Sequence, residues 1–159
     1  MLTQELKQKK EDNGEAIAKS MLELSKLKVP VIAIVIGEGS SGGALALGVG
    51  NKVFMLENAI YSILSPEGYA SILWKDASRV KEAAQKMKLT AEDLYELKVI
   101  DKIIKEPKGD LEESFKKVAK SLRKEISNTI KEMKDMSYEQ IVEERYQKFR
   151  NMGEYIITS

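Results

Sequence analysis

The chain has 159 residues, of which 43% are hydrophobic and 32% are charged, and its formal net charge is only +1. A chain of this size fits one domain with a core of its own, and a charge so near zero argues against nucleic-acid binding, which goes with a clear basic excess. Because the chain contains no Cys and no His, it has no disulfide, thiol nucleophile, His general base or cysteine zinc site of its own.

No apolar run in the sequence is long enough to cross a membrane. The first seven residues also lack the apolar core of a signal peptide. We therefore expect a cytoplasmic protein with neither a membrane nor a nucleic acid as its partner.

The first third of the chain predicts a polar arm, a helix and a strand. Residues 1–14 are mostly polar, and Asn13-Gly14 can break a helix there. Residues 31–36 are apolar, mostly β-branched and without alternation, which predicts a strand buried on both faces. Residues 15–28 predict an amphipathic helix that faces a core, because apolar side chains recur at intervals of three and four. These side chains are Ile17, Met21, Leu24 and Leu27.

A glycine-rich segment follows the strand and leads into a run of Ala and Leu that predicts a tightly packed helix. The first turn of such a helix has unpaired N–H groups and a partial positive charge, so the segment can hold an oxyanion with backbone donors alone. The same glycines are equally typical of a turn that lets a helix pack closely on a strand. The sequence alone leaves both interpretations open. The glycines concerned are Gly37, Gly39, Gly42 and Gly43.

Two sharper motifs fail in this segment. Residues 39–43 match the G-x-S-x-G pattern around a nucleophilic serine, but the chain has no His to activate it, which leaves only a formal Ser–Lys pair. A phosphate-binding P-loop is excluded because no Gly-Lys-Ser/Thr follows the glycines, and Lys52 lies too far downstream.

The rest of the chain predicts further strands and capped helices. Ser65, Pro66 and Glu67 form a helix start with a cap, a proline and an acid in the first turn, and this start can face the same pocket as the glycine-rich one. We predict strands at residues 52–56, 59–64 and 99–104, and helices at residues 66–74, 76–87, 90–98, 110–135 and 137–152.

Residues 35–50 and 55–68 carry a resemblance that continues through residues 70–75, 99–107 and 145–150. The run VIGEGSSGGALALGVG, followed by MLENAIYSILSPEG, resembles the signature of the bacterial acetyl-CoA carboxylase carboxyltransferase alpha-subunit family. The resemblance implies an α/β, crotonase-like fold of layered ββα units, truncated at its N-terminus and followed by C-terminal helices. It divides the chain into an arm at 1–14, a partial carboxyltransferase core at 15–107 and a helical segment at 108–159.

The same resemblance implies a transferase that moves the carboxyl group of carboxybiotin to acetyl-CoA, forming malonyl-CoA for fatty acid biosynthesis. Its implied partners are a beta subunit that holds the zinc, a biotin carboxyl carrier protein and an alpha2beta2-type assembly, with no cofactor bound covalently to this chain and ATP used elsewhere in the complex. By position, Gly42 and Gly43 match the backbone donors to the oxyanion. The substrate-binding positions are Gly37, Gly39, Ser41, Ser65, Glu67 and Gly68.

Two alternatives remain beside this hypothesis. The family pattern has upstream strands that find no match here, which favours a truncated, inactive homologue acting as an assembly piece. Tyr69 and Asn13-Gly14 also depart from the pattern, which bears on how substrate is contacted. A different crotonase-type enzyme, such as a hydratase or a Ser–Lys protease, is disfavoured because no acid–base pair lies in the matching region.

Overall fold

The computed structural model describes residues 4–153, with side chains described from residue 14 onward. The helices of this span are α1 (Gln4–Lys26), α2 (Ser41–Leu47), α3 (Pro66–Trp74), α4 (Val80–Lys86), α5 (Ala91–Glu96), α6 (Leu111–Met133) and α7 (Tyr138–Arg150). The strands are β1 (Ile32–Val35), β2 (Glu38–Ser40), β3 (Lys52–Leu56), β4 (Ile60–Ser62) and β5 (Lys102–Ile104). No helix among the described residues has the length and apolar character that crossing a bilayer requires.

The strands form two small parallel sheets, in the orders β1-β3-β5 and β2-β4. The chain runs strand, strand, helix twice in succession, as β1-β2-α2 and then β3-β4-α3, and each strand of the second unit pairs with its counterpart in the first. The registers place Ile32 opposite Lys52 and Glu38 opposite Ile60. The predicted α/β architecture of layered ββα units is therefore confirmed.

The core is centred on β3, the middle strand of the larger sheet. Four of its five residues are buried, and Met55 is completely inaccessible. α5 packs on β5, and its buried residues Ala91 and Leu94 belong to the same apolar cluster as β3. This cluster is the rigid support for the smaller sheet beside it.

α1 runs without interruption through Asn13 and Gly14, so the break predicted there is wrong. A glycine in a helix interior costs only about 1 kcal/mol relative to alanine, and the Glu, Lys and Ala residues around it favour helix. The part of the predicted arm at residues 1–3 lies outside the described residues.

The predicted burial of α1 and β1 is also wrong in part. Met21 and Leu27 are each 39% exposed, so much of the apolar face of α1 is uncovered. β1 is only half-buried, and Ile36 just after it is 67% exposed. The reason is topological, since β1 is an edge strand whose one neighbour in the described chain is β3.

The long helix α6 covers the core with only the middle of its apolar stripe. Val118, Leu122 and Ile126 pack against the core cluster, whereas Leu111 and Phe115 in its first two turns are 85% and 71% exposed. α4 begins at Val80 rather than after Asp76, because the Asp76 carboxylate binds the N–H and hydroxyl of Ser78 instead of a helix terminus.

Arg145 of α7 joins distant parts of the chain through a buried fan of hydrogen bonds. It is 1% exposed, and its Nη1 and Nη2 atoms donate to four backbone carbonyls at 2.8 to 3.1 Å. A helix leaves its last carbonyls unpaired, and this guanidinium binds two carbonyls in the last turn of α1 and two in the segment that follows it. The carbonyls belong to Leu24, Ser25, Leu27 and Val29.

Asn51 completes this network at the start of β3. Its Oδ1 atom accepts from Arg145 Nη2 at 2.7 Å and from the Val31 N–H at 3.0 Å. Its Nδ2 atom donates to the carbonyl of Ile141 at 2.9 Å and to Glu144 Oε2 at 2.6 Å. We call Asn51, Arg145 and their partners the Arg145 network, and it fixes α7 and the end of α1 to the sheet.

Candidate active site at the glycine-rich turn

The glycine-rich segment forms a strand and a helix start rather than a loop. β2 occupies Glu38–Ser40, and α2 begins at the next residue, Ser41. Ser40 lies opposite Ser62, the last residue of β4, in a parallel register. α2 follows β2 directly, and α3 begins at Pro66, shortly after β4 ends, so both helix starts come after the same edge of the small sheet. That they face one pocket stays a prediction.

Ser41 turns the chain from β2 into α2 with a φ of +70°. A non-glycine residue in this left-handed region carries of order 1 kcal/mol of strain or more. The other described non-glycine residues with positive φ are Lys75, Lys88 and Lys98, all of which follow the end of a helix. Of these four residues, only Ser41 begins a helix. The strained residue therefore directly precedes the candidate donors, the N–H groups of Gly42 and Gly43.

Gly42 and Gly43 stand in the first turn of α2. Within the described part of the chain, neither N–H has a hydrogen-bond acceptor, and the side chain of Ser40 does not cap the helix. α2 has only seven residues, so its macrodipole is small. Any anion bound here would be held by individual N–H groups rather than by the field of a long helix.

The two glycines differ in what surrounds them. A Cβ on Gly42 would lie 3.3 Å from Ile17 Cδ1 of α1, which is closer than ordinary contact. A Cβ on Gly43 would meet nothing nearer than the Ser41 hydroxyl at 4.0 Å. Close helix packing therefore accounts for Gly42, while Gly43 faces open space. The packing interpretation therefore applies to Gly42, and the oxyanion interpretation stays a prediction for both glycines.

An open cavity of about 320 Å³ lies between the end of β1, β2 and α2. Its lining is mostly apolar and includes Val35, Ile36, Gly37, Gly39, Leu47 and Tyr61. A Cβ on Gly39 would meet the Tyr61 ring at 3.1 Å and Val35 at 3.2 Å. The absence of a side chain at Gly39 therefore lets Tyr61 and Val35 pack closely in the wall of the cavity. Gly37 and Gly39 thus line the cavity, whereas Ser41, Gly42 and Gly43 lie beyond its lining.

Tyr61 forms the wall between this cavity and a second one of about 300 Å³. Its hydroxyl donates to the carbonyl of Ala44 in α2 at 3.3 Å, and burial raises the pKa of the phenol. The hydroxyl lies only 2.2 Å from where a Cβ on Gly48 would stand. Tyr61 and Gly48 therefore fit each other and set the position of α2. Sequence reasoning missed both, although Tyr61 lies in a predicted strand.

The second helix start lies at α3. The hydroxyl of Ser65 accepts from the N–H of Gly68 at 3.2 Å, so this donor is occupied by the cap. Hydrogen bonds from the backbone N–H of Glu67 and from the Ser65 hydroxyl lower the pKa of the Glu67 carboxyl, which is exposed. These residues follow β4 at the edge of the small sheet where α2 follows β2. Within the described residues, the N–H of Gly68 has a partner, whereas those of Gly42 and Gly43 have none.

Other chemistries find no support at this turn. The Lys52 amine is bound to Glu144 at 3.2 Å, and no lysine within the described span hydrogen-bonds to Ser40 or Ser41. Among the side chains that the structure describes, those of residues 14–153, no cluster of three or more His, Cys, Asp or Glu could hold a metal ion.

Comparison with known proteins identifies relatives for almost the whole chain. Residues 4–153 match the family model described as acetyl co-enzyme A carboxylase carboxyltransferase-like. The chain is 59% identical over 140 residues to the acetyl-coenzyme A carboxylase carboxyl transferase subunit alpha of Clostridium botulinum, covering 88% of this chain and 51% of that protein. Its identity to the same subunit of Listeria monocytogenes is 53% over 142 residues, covering 89% and 45%. The chain thus spans about half the length of the curated relatives that it matches.

Solved structures share the fold at low sequence identity. A Pseudomonas malonate decarboxylase hetero-tetramer, solved with coenzyme A, matches with a TM-score of 0.65 and 14% identity, over 83% of this chain and 52% of that one. The transcarboxylase 12S structure matches with a TM-score of 0.56 and 20% identity, over 73% and 22%. At these identities the likeness shows the fold, and the crotonase-like class predicted from the sequence is confirmed.

Proposed function

This chain belongs to the acetyl co-enzyme A carboxylase carboxyltransferase-like family, and on that premise we propose that it serves as the carboxyltransferase alpha component of acetyl-CoA carboxylase. The reaction moves the carboxyl group of carboxybiotin to acetyl-CoA and forms malonyl-CoA for fatty acid biosynthesis. The observation that carries the proposal is the 59% identity to a curated alpha subunit over 88% of this chain.

The role proposed for the glycine-rich turn is to stabilise an oxyanion. In the transfer, the bond between the carboxyl carbon and the biotin nitrogen breaks, the methyl group of acetyl-CoA gives its proton to that nitrogen, and a new carbon–carbon bond forms. Negative charge develops on a carbonyl oxygen during both halves of this exchange. Fixed N–H donors aimed at such an oxygen commonly contribute about 100-fold or more to the rate.

Gly42 and Gly43 are proposed as these donors, because their N–H groups have no acceptor in the described chain. The left-handed φ of Ser41 turns the chain from β2 into α2. The N–H groups of Gly42 and Gly43 therefore lie in the first turn of the helix. The chemistry uses neither a His nor a Cys of this chain, so the absence of both residue types is compatible with it.

The other residues that we propose for substrate binding fall into two groups, one along the cavity and one at the start of α3. Gly37 and Gly39 would form an apolar wall along the cavity, and Ser41 would offer its hydroxyl near the donors. At the neighbouring helix start, Ser65, Glu67 and Gly68 would form a second rim, with Ser65 holding Gly68 in place through the cap. Residues 15–107 would form the carboxyltransferase part, preceded by an arm at 1–14 and followed by helices at 108–159.

The proposed partners follow from the family. A beta subunit would hold the zinc ion and much of the acetyl-CoA site, a biotin carboxyl carrier protein would deliver the carboxyl group, and the subunits would assemble in the cytoplasm as an alpha2beta2-type complex. The solved malonate decarboxylase neighbours are themselves hetero-oligomers, which supports an assembly of unlike chains. The high identity to curated subunits does not favour the inactive alternative.

The reverse reaction tests this function. The purified chain is combined with a beta subunit, malonyl-CoA and biocytin, with and without the half of the Clostridium botulinum relative that this chain does not match, and biocytin-dependent loss of malonyl-CoA is followed. The proposal predicts turnover that depends on biocytin and on this chain. An assembled complex without such turnover would overturn it, and hydratase or peptidase turnover by the chain alone would indicate the other crotonase-type enzymes.

A further inference from the structure

The hydroxyl of Tyr61 links β4 to α2. It donates to the carbonyl of Ala44 at 3.3 Å, and among residues 14–153 no other side chain outside α2 forms a hydrogen bond with a residue of this helix. α1 packs on α2 through Ile17, which faces Gly42. Apolar packing and this one hydrogen bond therefore set where α2 lies.

The backbone of Tyr61 is fixed from both sides. Tyr61 stands opposite Gly39 in the parallel register of β2 and β4. On the other side, its own N–H donates to the carbonyl of Leu89 at 3.2 Å, and Ile60 forms an antiparallel bridge with Thr90. Because β4 has a neighbour on each side, the hydroxyl that reaches α2 projects from a firmly held strand.

Two glycines leave room for the Tyr61 side chain. A Cβ on Gly39 would lie 3.1 Å from its ring, and a Cβ on Gly48 would lie 2.2 Å from its hydroxyl. Burial raises the pKa of the phenol, so the hydroxyl keeps the proton that it donates to Ala44. The ring and the hydroxyl are thus both confined, and the contact with α2 has a defined geometry.

The Tyr61 contact lies next to the candidate donors. The bonded carbonyl belongs to the residue directly after Gly43, in a helix of only seven residues. Hydrogen bonds within so short a helix couple its turns, so a shift at Ala44 also moves the N–H groups of Gly42 and Gly43. Donors in an active site need to lie within about 0.5 Å of the productive geometry, and a loosely held α2 would misdirect them.

We propose that Tyr61 is a positioning residue for carboxyl transfer, whose hydrogen bond to the Ala44 carbonyl keeps the N–H groups of Gly42 and Gly43 directed at the oxyanion. The proposal rests on the function proposed above and deepens it, because it names a residue that acts on the same site without touching the substrate. Its test separates the two, since the wild-type complex reports on the function and the Tyr61 variants report on the positioning.

Tyr61→Phe removes the hydroxyl and keeps the ring. The chain is assembled with a beta subunit and the half of the Clostridium botulinum relative that it does not match, and biocytin-dependent loss of malonyl-CoA gives kcat and KM. We expect kcat to fall about tenfold while the KM for malonyl-CoA changes less than about twofold, because misdirected donors weaken transition-state rather than ground-state binding. Tyr95→Phe, at an exposed position of α5, should change neither constant.

A loss of stability without mispositioning is distinguished by a second control. Ile126→Val shortens an α6 side chain that packs against the core cluster and weakens the fold, yet it should leave kcat unchanged at a temperature where circular dichroism shows every variant folded. Hydrogen exchange at residues 45–48 reports on α2 itself. It should be about fivefold faster in the assembled Tyr61→Phe complex than in the wild type, as expected for the loss of one hydrogen bond.

Gly48→Ala displaces the same hydroxyl from the other side, because the added Cβ would lie 2.2 Å from it. We expect kcat to fall about tenfold here too, and the double variant with Tyr61→Phe to be about as active as Tyr61→Phe alone, since one contact is lost in every case. Two unrelated defects would instead multiply to about 100-fold, which would contradict the proposal.

Two further outcomes would overturn the positioning role and leave the proposed function standing. One is a kcat of Tyr61→Phe equal to that of the wild type, and the other is a raised KM with unchanged kcat, which would make Tyr61 a binding contact. An assembled wild-type complex without turnover would overturn the proposed function, and the positioning role with it.

Discussion

The Arg145 network and the glycine-rich turn differ in how their polar groups are used. In the network, Arg145 and Asn51 are buried, and together they make hydrogen bonds to backbone on α1, on the segment between α1 and β1, and on α7. At the turn, the N–H groups of Gly42 and Gly43 lack acceptors among the described residues, Ser41 is strained and apolar side chains are exposed. Polar groups that have hydrogen-bond partners within the protein stabilise the region around them, whereas polar groups without such partners remain available to bind a ligand. The stability of this fold therefore resides away from its candidate site.

The largest expected effect comes from removing the centre of the network. Arg145→Ala leaves four carbonyls near the end of α1 without their donor, and we expect the free energy of unfolding to fall by about 3–5 kcal/mol, as when one partner of a buried polar network is removed. Urea denaturation measures the change. The matched control is Arg150→Ala, at an exposed position in the same helix, which should change stability by less than about 0.5 kcal/mol. Similar values for the two variants would contradict this view of the network.

The next effect tests the fit between Tyr61 and Gly48 at the base of the site. Gly48→Ala would place a Cβ 2.2 Å from the Tyr61 hydroxyl and should destabilise the protein by about 1–3 kcal/mol. Tyr61→Phe removes the oxygen responsible, so the double variant should recover part of that loss in a double-mutant cycle. Gly14→Ala, at a helical glycine with open space around it, should stabilise slightly. Additive effects at residues 48 and 61 would argue against direct contact.

A smaller effect of opposite sign is expected at Ser41. Ser41→Gly should raise the free energy of unfolding by about 1 kcal/mol, because glycine adopts the observed φ of +70° without strain. Ser41→Ala keeps the Cβ and should leave the stability almost unchanged. A loss of stability in the glycine variant, measured by the same urea titrations, would mean that the turn is not strained.

The smallest effect concerns the ion pair between the residues that directly follow β3 and β5. The Lys105 amine, 2.7 Å from Glu57, and the N–H of Glu106 lower the pKa of the Glu57 carboxyl. A carboxyl with a lowered pKa in the folded state contributes stability above its unfolded pKa, and this contribution is lost as the pH falls through the folded value. Stability should therefore decline less between about pH 5 and pH 3 in Glu57→Gln than in the wild type. If the free energy of unfolding fell equally steeply with pH in both proteins, the ion pair would not contribute to stability.

Local sequence signals predicted the elements well wherever the cause was local. The cap at Ser65 with Pro66 is present at the start of α3, and Ser137 begins α7 with a capping box. The Thr90 hydroxyl accepts from the Asp93 N–H at the start of α5. In each case the side chain and its backbone partner are three residues apart, so a short window of sequence contains the whole interaction.

Features that depend on distant contacts were predicted poorly. Arg145 bonds to carbonyls more than 100 residues away in the chain, and nothing near it in the sequence distinguishes it from a surface arginine. The burial of β1 was overestimated because an apolar sequence shows that a strand is suited to a buried position. It does not show which elements lie beside that strand. The different roles of Gly42 and Gly43 depend on where Ile17 of α1 lies, which no local pattern specifies.

The central claim is that the N–H groups at the start of α2 take part in carboxyl transfer, and a pair of matched glycine substitutions tests it most directly. Gly43→Val places a branched side chain beside the donors, where a Cβ meets nothing nearer than 4.0 Å, while Gly14→Val makes the same change at an open position of α1. In malonyl-CoA-dependent transfer to biocytin by the assembled complex, we predict that kcat falls about 100-fold or more for Gly43→Val, with assembly and unfolding free energy close to those of Gly14→Val. Equal activity of the two variants would contradict the claim.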